Sequence, residues 1–338
     1  MLKLVFFDVE DYEKEFLRQA CEGKYNYTLI HNPLNDLETI PDEIKDADVI
    51  SCFTTSRVTR EVLEQFAQLR LIALRSVGFN HVDTEYCQAN GITVENTPNY
   101  GNKSVAEFAF GLMLDVTRRI SKAYSAFKEL NACHKCTTGY ELGGKTIGVF
   151  GLGAIGREFA KLAYGFEMNI LGFDMFENQE MKEKYNVEYV DFGTMLEKSD
   201  FISLHAPLTK ETYHVFDEEA FKKIKPECVL INTARGELID TQALYNALSK
   251  KEIAGAGLDV LESEEAISDP EYLIDVNRLH GNALKDTVLN NRLLQMDNVI
   301  ITPHIAYNTH EAIGRILSTT ISNIAAFAEG KVQNSVIK

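Results

Sequence analysis

The chain has 338 residues, 45% of them hydrophobic and 25% charged, proportions of an ordinary folded protein long enough for two domains with separate cores. A formal net charge of -16 repels phosphate backbones and anionic lipid, so no nucleic acid and no membrane is expected as the main partner. The 6 cysteines are scattered and read as reduced thiols; only Cys133 and Cys136 have metal-like spacing, and without further ligands nearby no metal is expected.

The N-terminal stretch MLKLVFFDVEDYEKEF holds too short an apolar run for a secretory signal and reads as a first strand, which points to a cytoplasmic protein. Strand-like runs occur at Leu2 to Phe7, Tyr27 to Ile30, Val49 to Phe53, Leu71 to Arg75 and Ile92 to Val94, separated by helical patterns such as DYEKEFLRQACE. That alternation predicts parallel strands joined by crossover helices, hence an open α/β sheet. The segment KSVAEFAFGLMLDVTRRISKAYSAFKEL then reads as one long helix; its longest apolar run, Phe108 to Leu114, is too short to span a bilayer. A second alternating series has strands near Thr146 to Phe150, Ile170 to Phe173, Phe201 to Leu204, Val229 to Asn232, Ala256 to Val260 and Val299 to Ile301. The last segment, Thr309 to Phe327, reads as a helix returning to the first domain.

In TIGVFGLGAIGREFAKL, the glycines Gly151, Gly153 and Gly156 lie between a strand and an amphipathic helix. A tight turn, close backbone approach to a pyrophosphate and close helix packing all require glycine there. Asp174 ends the next strand, where its carboxylate can bond a ribose 2'-OH but repels a 2'-phosphate, so the spacing predicts NAD as cofactor. The expected fold class is therefore α/β, with two doubly wound Rossmann-like domains and parallel sheets. Residues 1–100 with 304–338 would form a discontinuous, flavodoxin-like substrate domain, and 101–303 the NAD-binding domain, with hinges near Pro98 and Pro303.

Three further strand ends deliver Arg235, then Asp259 and Glu264, then His304. Reduction of a 2-oxo acid needs a hydride donor, a proton donor and a carboxylate anchor. Arg235 can fork a carboxylate, His304 can exchange a proton near neutral pH, and Glu264 can hold the imidazole. Each also has a bland reading: Arg235 in a surface ion pair, Glu264 on a solvated loop, His304 capping a strand.

In order along the chain, GLGAIG, HAPLTKETYHVF, INTARGELID, GLDVLESE and TPHIA resemble the D-isomer-specific 2-hydroxyacid dehydrogenase family, and the likeness covers nearly the whole chain. The resemblance implies that Arg235, Glu264 and His304 are catalytic and that Asp259 accepts from the nicotinamide amide. It extends the cofactor contacts to Ala154, Ile155, His205, Pro207, Thr212, Thr233 and Ala234. LRSVGFNHVD resembles the carboxylate-binding loop of the D-lactate and D-2-hydroxyisocaproate subgroup, which implies substrate contacts from Val77 and Gly78, with Tyr100 and Tyr307 as the subgroup's aromatic contacts. A homodimer supported by the long helix from Ser104 is implied as well. A departure is Glu265, which follows Glu264 and opens a long loop, EAISDPEYLIDVNRLHGNALKDTVLN. NAD-dependent reduction of a small 2-oxo acid to the (R)-2-hydroxy acid is the expected activity. A hydroxypyruvate or phosphoglycerate type dehydrogenase stays open, although Arg57 and Arg75 are the only nearby bases for a phosphate, as does an NAD(H)-sensing corepressor-like binding protein.

Overall fold

The short apolar runs pair into two separate sheets in the computed structural model, which describes residues 1–36, 40–129, 137–264 and 283–337. The first contains β1 (Lys3–Phe6), β2 (Asn26–Leu29), β3 (Val49–Cys52), β4 (Leu71–Leu74) and β5 (Thr93–Glu95), in the order β2-β1-β3-β4-β5. The second contains β6 (Thr146–Phe150), β7 (Asn169–Phe173), β8 (Val187–Tyr189), β9 (Phe201–Leu204), β10 (Val229–Asn232), β11 (Gly255–Leu258) and β12 (Val299–Ile301). Their order is β12-β11-β10-β9-β6-β7-β8. All pairings in both sheets are parallel. Central strands such as β3, β4, β9 and β10 are buried along their whole length, as parallel strands covered on both faces must be. The sequence reading missed β8, a half-buried edge strand whose only fully covered residue is Val187.

The chain divides into two compact units, one of Met1–Tyr100 with the residues from Thr309 onward, the other of Gly101–Asn308. In the first, Leu4, Phe6 and Leu71 face Leu17 of the helix Asp11–Cys21 and Leu317 and Ile324 of the helix His310–Ala328. Val5, Ile50, Ile72 and Val94 line the opposite face, following the period of two along a strand. In the second, Phe150, Leu204 and Leu230 pack towards the helix Thr241–Ser249. Ile147, Val149 and Ile231 pack towards the helices Asn102–Arg118 and Ala154–Gly165. Among the described residues no helix is long and apolar enough to cross a membrane.

Two local expectations are corrected. The long helix is interrupted at Arg119, whose φ of 54° is left-handed, giving Asn102–Arg118 and Ile120–Lys128. Asp115 drives the break, because its carboxylate accepts the Ser121 N–H at 2.7 Å and the Ser121 hydroxyl, competing with the helical ladder. The supposed loop after Glu264 is helical from Ala283 to Leu294; its buried positions include Thr287 and Asn290, polar residues that hide the apolar period. Residues 265–282 lie outside the described residues, as do Cys133 and Cys136.

At the carboxyl edge of the first sheet lies Arg75, only 1% exposed. Its Nη2 donates to the carbonyls of Phe7 (2.6 Å) and Asp8 (2.7 Å), Nη1 reaches Ser51 Oγ (3.3 Å), and Nε lies 3.3 Å from Glu13 Oε1. One guanidinium thus ties the ends of β1, β3 and β4 to a helix, and it is unavailable to a substrate phosphate. Arg75→Met should lower stability by about 3–5 kcal/mol in urea unfolding, because Glu13 is left as a buried unpaired charge; Glu13→Gln in the same chain should recover part of that. A loss under about 1 kcal/mol would show the pair to be dispensable.

Candidate active site

In the second sheet β6 and β9 are neighbours although not consecutive, so their carboxyl ends form the switch point where an open α/β sheet leaves a crevice. GLGAIG occupies it. Gly151 has a φ of 94°, and a Cβ there would lie 2.6 Å from the Ala206 nitrogen. A Cβ on Gly156 would lie 1.9 Å from the Gly151 carbonyl oxygen, whereas one on Gly153 meets nothing within 4 Å and leaves that face open. The helix beginning at Ala154 and Ile155 has no side-chain cap, so its first N–H groups remain for an anion. Asp174 is tied to the same turn: its Oδ2 accepts the Leu152 N–H at 2.6 Å and its Oδ1 the Phe176 N–H at 3.1 Å.

On the adjoining loops, two buried polar atoms, His205 Nδ1 and Thr233 Oγ1, have no partner among the described residues. The other ring nitrogen of His205 lies 2.9 Å from Ser203 Oγ, and burial depresses the ring's pKa to about 3, so the imidazole is neutral. Thr212 Oγ1 donates to the Pro207 carbonyl at 2.8 Å and closes the loop after β9. The Ala234 N–H is already given to Asn232 Oδ1 at 3.0 Å. The glycine cradle, the uncapped helix and the two orphaned atoms fit a dinucleotide.

Arg235, Glu264 and His304 follow the adjacent strands β10, β11 and β12. Asp259, first after β11, is 1% exposed and organises the next strand's end. Its Oδ1 accepts from Thr302 Oγ1 (2.6 Å) and the Ile305 N–H (3.0 Å), its Oδ2 from the Ala306 N–H (2.8 Å), and its carbonyl from the His304 N–H (2.9 Å). Burial pushes the Asp259 pKa up, and these bonds work against that. The turn holds His304 at a φ of 53°, with Nδ1 2.7 Å from Glu264 Oε1. Burial pulls the His304 pKa down, but the bond to Glu264 and the charges of Glu264 and Asp259 outweigh burial and the opposing charge of Arg235, leaving it above the ordinary histidine value. Its side chain is 49% exposed. Arg235 Nη1 donates to the Ala234 carbonyl at 2.6 Å. The site therefore offers a guanidinium, an exposed imidazole biased towards its acid form, and the carboxylate that biases it.

The loop carrying Glu264 is pinned by residues that sequence reading did not single out. The Glu262 carboxylate accepts from the Thr241 N–H (3.0 Å) and Oγ1 (2.6 Å) and lies 2.6 Å from His214 Nε2. Asn290 Nδ2 donates to the Glu262 carbonyl at 2.8 Å. His214 stands in the quoted HAPLTKETYHVF, but a pairing across 48 residues leaves no local spacing to detect. Glu237, two residues past Arg235, has its pKa raised by burial, and the charges of Glu262 and Glu264 add to this. Tyr307 belongs to the second unit; Val77, Gly78 and Tyr100 belong to the first, where Val77 is exposed and the Tyr100 carbonyl accepts from Arg315 Nε at 2.7 Å.

Residues 110–306 match the family model for the NAD binding domain of D-isomer specific 2-hydroxyacid dehydrogenases. The chain is 39% identical over 304 residues to a glyoxylate reductase of Thermococcus litoralis, covering 88% of this chain and 85% of that protein. It is 35% identical over 332 residues to a D-lactate dehydrogenase of Escherichia coli, covering 98% of each. Its fold matches the crystal structure of a D-lactate dehydrogenase from Aquifex aeolicus complexed with NAD and lactic acid, with a TM-score of 0.86, 34% identity and 99% of each chain covered. By sequence and by fold, the chain belongs to the D-isomer-specific 2-hydroxyacid dehydrogenase family and is an NAD-dependent oxidoreductase.

Proposed function

We propose that this enzyme reduces a small 2-oxo acid to its (R)-2-hydroxy acid, in the manner of a D-lactate dehydrogenase. The observation that carries the reading is the 2.7 Å pairing of His304 with Glu264 at a strand end beside Arg235. A D-lactate dehydrogenase and a glyoxylate reductase among the relatives support the substrate class. Arg235 holds the carboxylate in a planar fork. The His304 imidazolium keeps its Nδ1 proton on Glu264 and passes the proton on Nε2 to the carbonyl oxygen. Bound NADH supplies the hydride that the carbonyl carbon accepts. One hydride and one proton thus convert the ketone to the secondary alcohol, and the imidazole is left neutral for reprotonation.

For the cofactor, the proposed contacts are Gly151, Gly153, Ala154, Ile155 and Gly156 at the pyrophosphate and Asp174 at the ribose. His205, Pro207, Thr212, Thr233 and Ala234 would line the dinucleotide, with Asp259 accepting from the nicotinamide amide. Val77, Gly78, Tyr100 and Tyr307 are the proposed substrate contacts. The phosphorylated-substrate alternative loses ground, because the burial of Arg75 leaves Arg57 alone of the two nearby bases.

We also place the enzyme in the cytoplasm as a homodimer. Ile120, Tyr124 and Phe127 form an exposed stripe at helical spacing on the helix Ile120–Lys128. The stripe flanks a cavity of about 490 Å³ lined by Lys122, Ser125 and Tyr140 and by the amino ends of β9, β10 and β12, at the edge of the sheet opposite the catalytic groups. A second copy is the proposed cover for this face. Sedimentation at the mass of two chains is expected, and a monomer at micromolar concentration would count against it.

The reading is tested by NADH oxidation with pyruvate, glyoxylate, branched-chain 2-oxo acids, phenylpyruvate and 2-oxoglutarate, followed by chiral chromatography of the product. An (R) product is expected, and His304→Asn should lower kcat by about 10²- to 10⁴-fold while NADH still binds. A racemic or (S) product, or near-normal turnover in the variant, would overturn the assignment. Glu264→Gln removes the main influence that raises the His304 pKa and leaves the charge of Asp259 alone against burial and Arg235. Reduction needs the protonated ring, so its activity is lost as pH rises through that pKa. The alkaline limb of kcat/KM should therefore move towards acid. An unmoved limb would mean that Glu264 only shapes its loop.

A further inference from the structure

The loop Ser76–Gly78, just beyond β4, has its carbonyls occupied and two of its amides free. The Thr97 N–H (3.0 Å) and Oγ1 (3.1 Å) both donate to the Ser76 carbonyl, Asn96 Nδ2 donates to the Val77 carbonyl at 2.8 Å, and Ser76 Oγ donates to the Gly78 carbonyl at 2.6 Å. Among the described residues, no acceptor meets the N–H of Val77 or of Gly78. A peptide group is planar and trans, so its C=O and N–H point in opposite directions. Holding the Ser76 carbonyl therefore aims the Val77 N–H, and holding the Val77 carbonyl aims the Gly78 N–H. Two consecutive residues, Asn96 and Thr97, each control one of these planes.

Asn96 is itself held from behind by the C-terminal part of the chain. Its N–H donates to the Asn334 carbonyl (3.1 Å), its carbonyl accepts from Asn323 Nδ2 (2.9 Å), and Asn334 Nδ2 donates to Asn323 Oδ1 (2.9 Å). Asn323 is wholly buried on the helix His310–Ala328. The segment around Ser335 runs antiparallel beside β5, bridging Glu95, and the Gln333 N–H donates to the buried Glu95 carboxyl at 2.7 Å. A ladder of three asparagines thus joins the C-terminal segment to the Ser76–Gly78 loop, with 227 residues separating Asn96 from Asn323.

We infer that Asn96 and Thr97, with Asn323 and Asn334 behind them, are positioning residues that aim the Val77 and Gly78 amides at the carboxylate of the substrate. This rests on the oxo-acid reading given above. Two aligned amides can bind an anion only while both planes keep their orientation, because a rotated N–H weakens steeply as an anion donor. The brace bonds the carbonyl side of the two peptide planes and none of its residues is among the proposed cofactor contacts, so its loss should appear in substrate affinity.

The test uses the full chain with NADH and the best oxo acid of the panel. Asn96→Asp keeps size, loses the donor and sets a carboxylate against the Val77 carbonyl. KM for the oxo acid should rise about tenfold with kcat within about threefold, and the NADH dissociation constant should not change. Affinity for oxamate, an unreactive 2-oxo-acid analogue, should fall by the same factor. Thr97→Val removes only the hydroxyl bond and should raise KM about threefold. Unchanged KM and oxamate affinity in both variants, or an equal loss of NADH affinity, would overturn the brace while leaving the oxo-acid reading intact. If Asn96→Asp does not fold, Thr97→Val decides alone, and unchanged KM there overturns the proposal. A wild-type enzyme that reduces none of the oxo acids would overturn the functional reading and the brace with it.

Discussion

The carboxyl end of the second sheet, where Arg235, Glu264 and His304 stand, depends on one buried carboxylate, Asp259. Its two oxygens and its carbonyl collect four donors from residues 302–306, which forces the chain to turn as soon as β12 ends. Thr302 is kept extended by the proline that follows it, and Pro303 can donate nothing to a ladder. His304 must then adopt a left-handed backbone conformation, a cost of about 1–2 kcal/mol for a residue with a Cβ. The hydrogen bonds to Asp259 offset that cost. The strained backbone is what brings the imidazole to Glu264.

The first sheet uses the same device with the opposite sign. There a buried guanidinium, Arg75, collects carbonyls from the end of β1 and a hydroxyl from β3, and Glu13 neutralises it. In both sheets a single charged group with several partners locks the carboxyl edge, where parallel strands leave loops that no ladder holds. The loops themselves are then free to carry chemistry. In the second unit the charges are also graded, since Glu264 and Asp259 raise the His304 pKa while burial and Arg235 lower it. The outcome is an imidazole that Glu264 and Asp259 bias towards its acid form against burial and Arg235.

Some of this was legible in the sequence because its physical cause is local. The GLGAIG turn announces itself through glycines that a Cβ would jam against Ala206 and Gly151, and the strand and helix on either side are read from their periods. Arg235 and His304 were legible as polar residues at the ends of apolar runs, and Glu264 as one a few residues beyond such an end. Other features were hidden. The break at Arg119 depends on which acceptor the Ser121 N–H chooses, and a helical pattern through that point gives no sign of it. The helix Ala283–Leu294 buries Thr287 and Asn290, so its hydrophobic period is diluted. Glu262 and His214 pair across 48 residues, so no local spacing marks either of them.

Amino-acid order alone therefore determined the α/β class, the dinucleotide turn and the residue types presented at the strand ends, because these follow from spacing within a few residues. Only the tertiary structure decided which charged groups stay partly accessible and which are buried among backbone partners. Arg75 and Arg235 both follow apolar strands, yet Arg75 is sealed among backbone carbonyls whereas Arg235 stands beside a histidine that feels its charge. The same holds for Asp259, whose carboxylate serves the turn that carries His304, and for Asn96, whose partners lie at the far end of the chain. The reason is physical: a side chain's role is set by desolvation and by its hydrogen-bond partners, and both come from residues that are distant in sequence and adjacent only after folding.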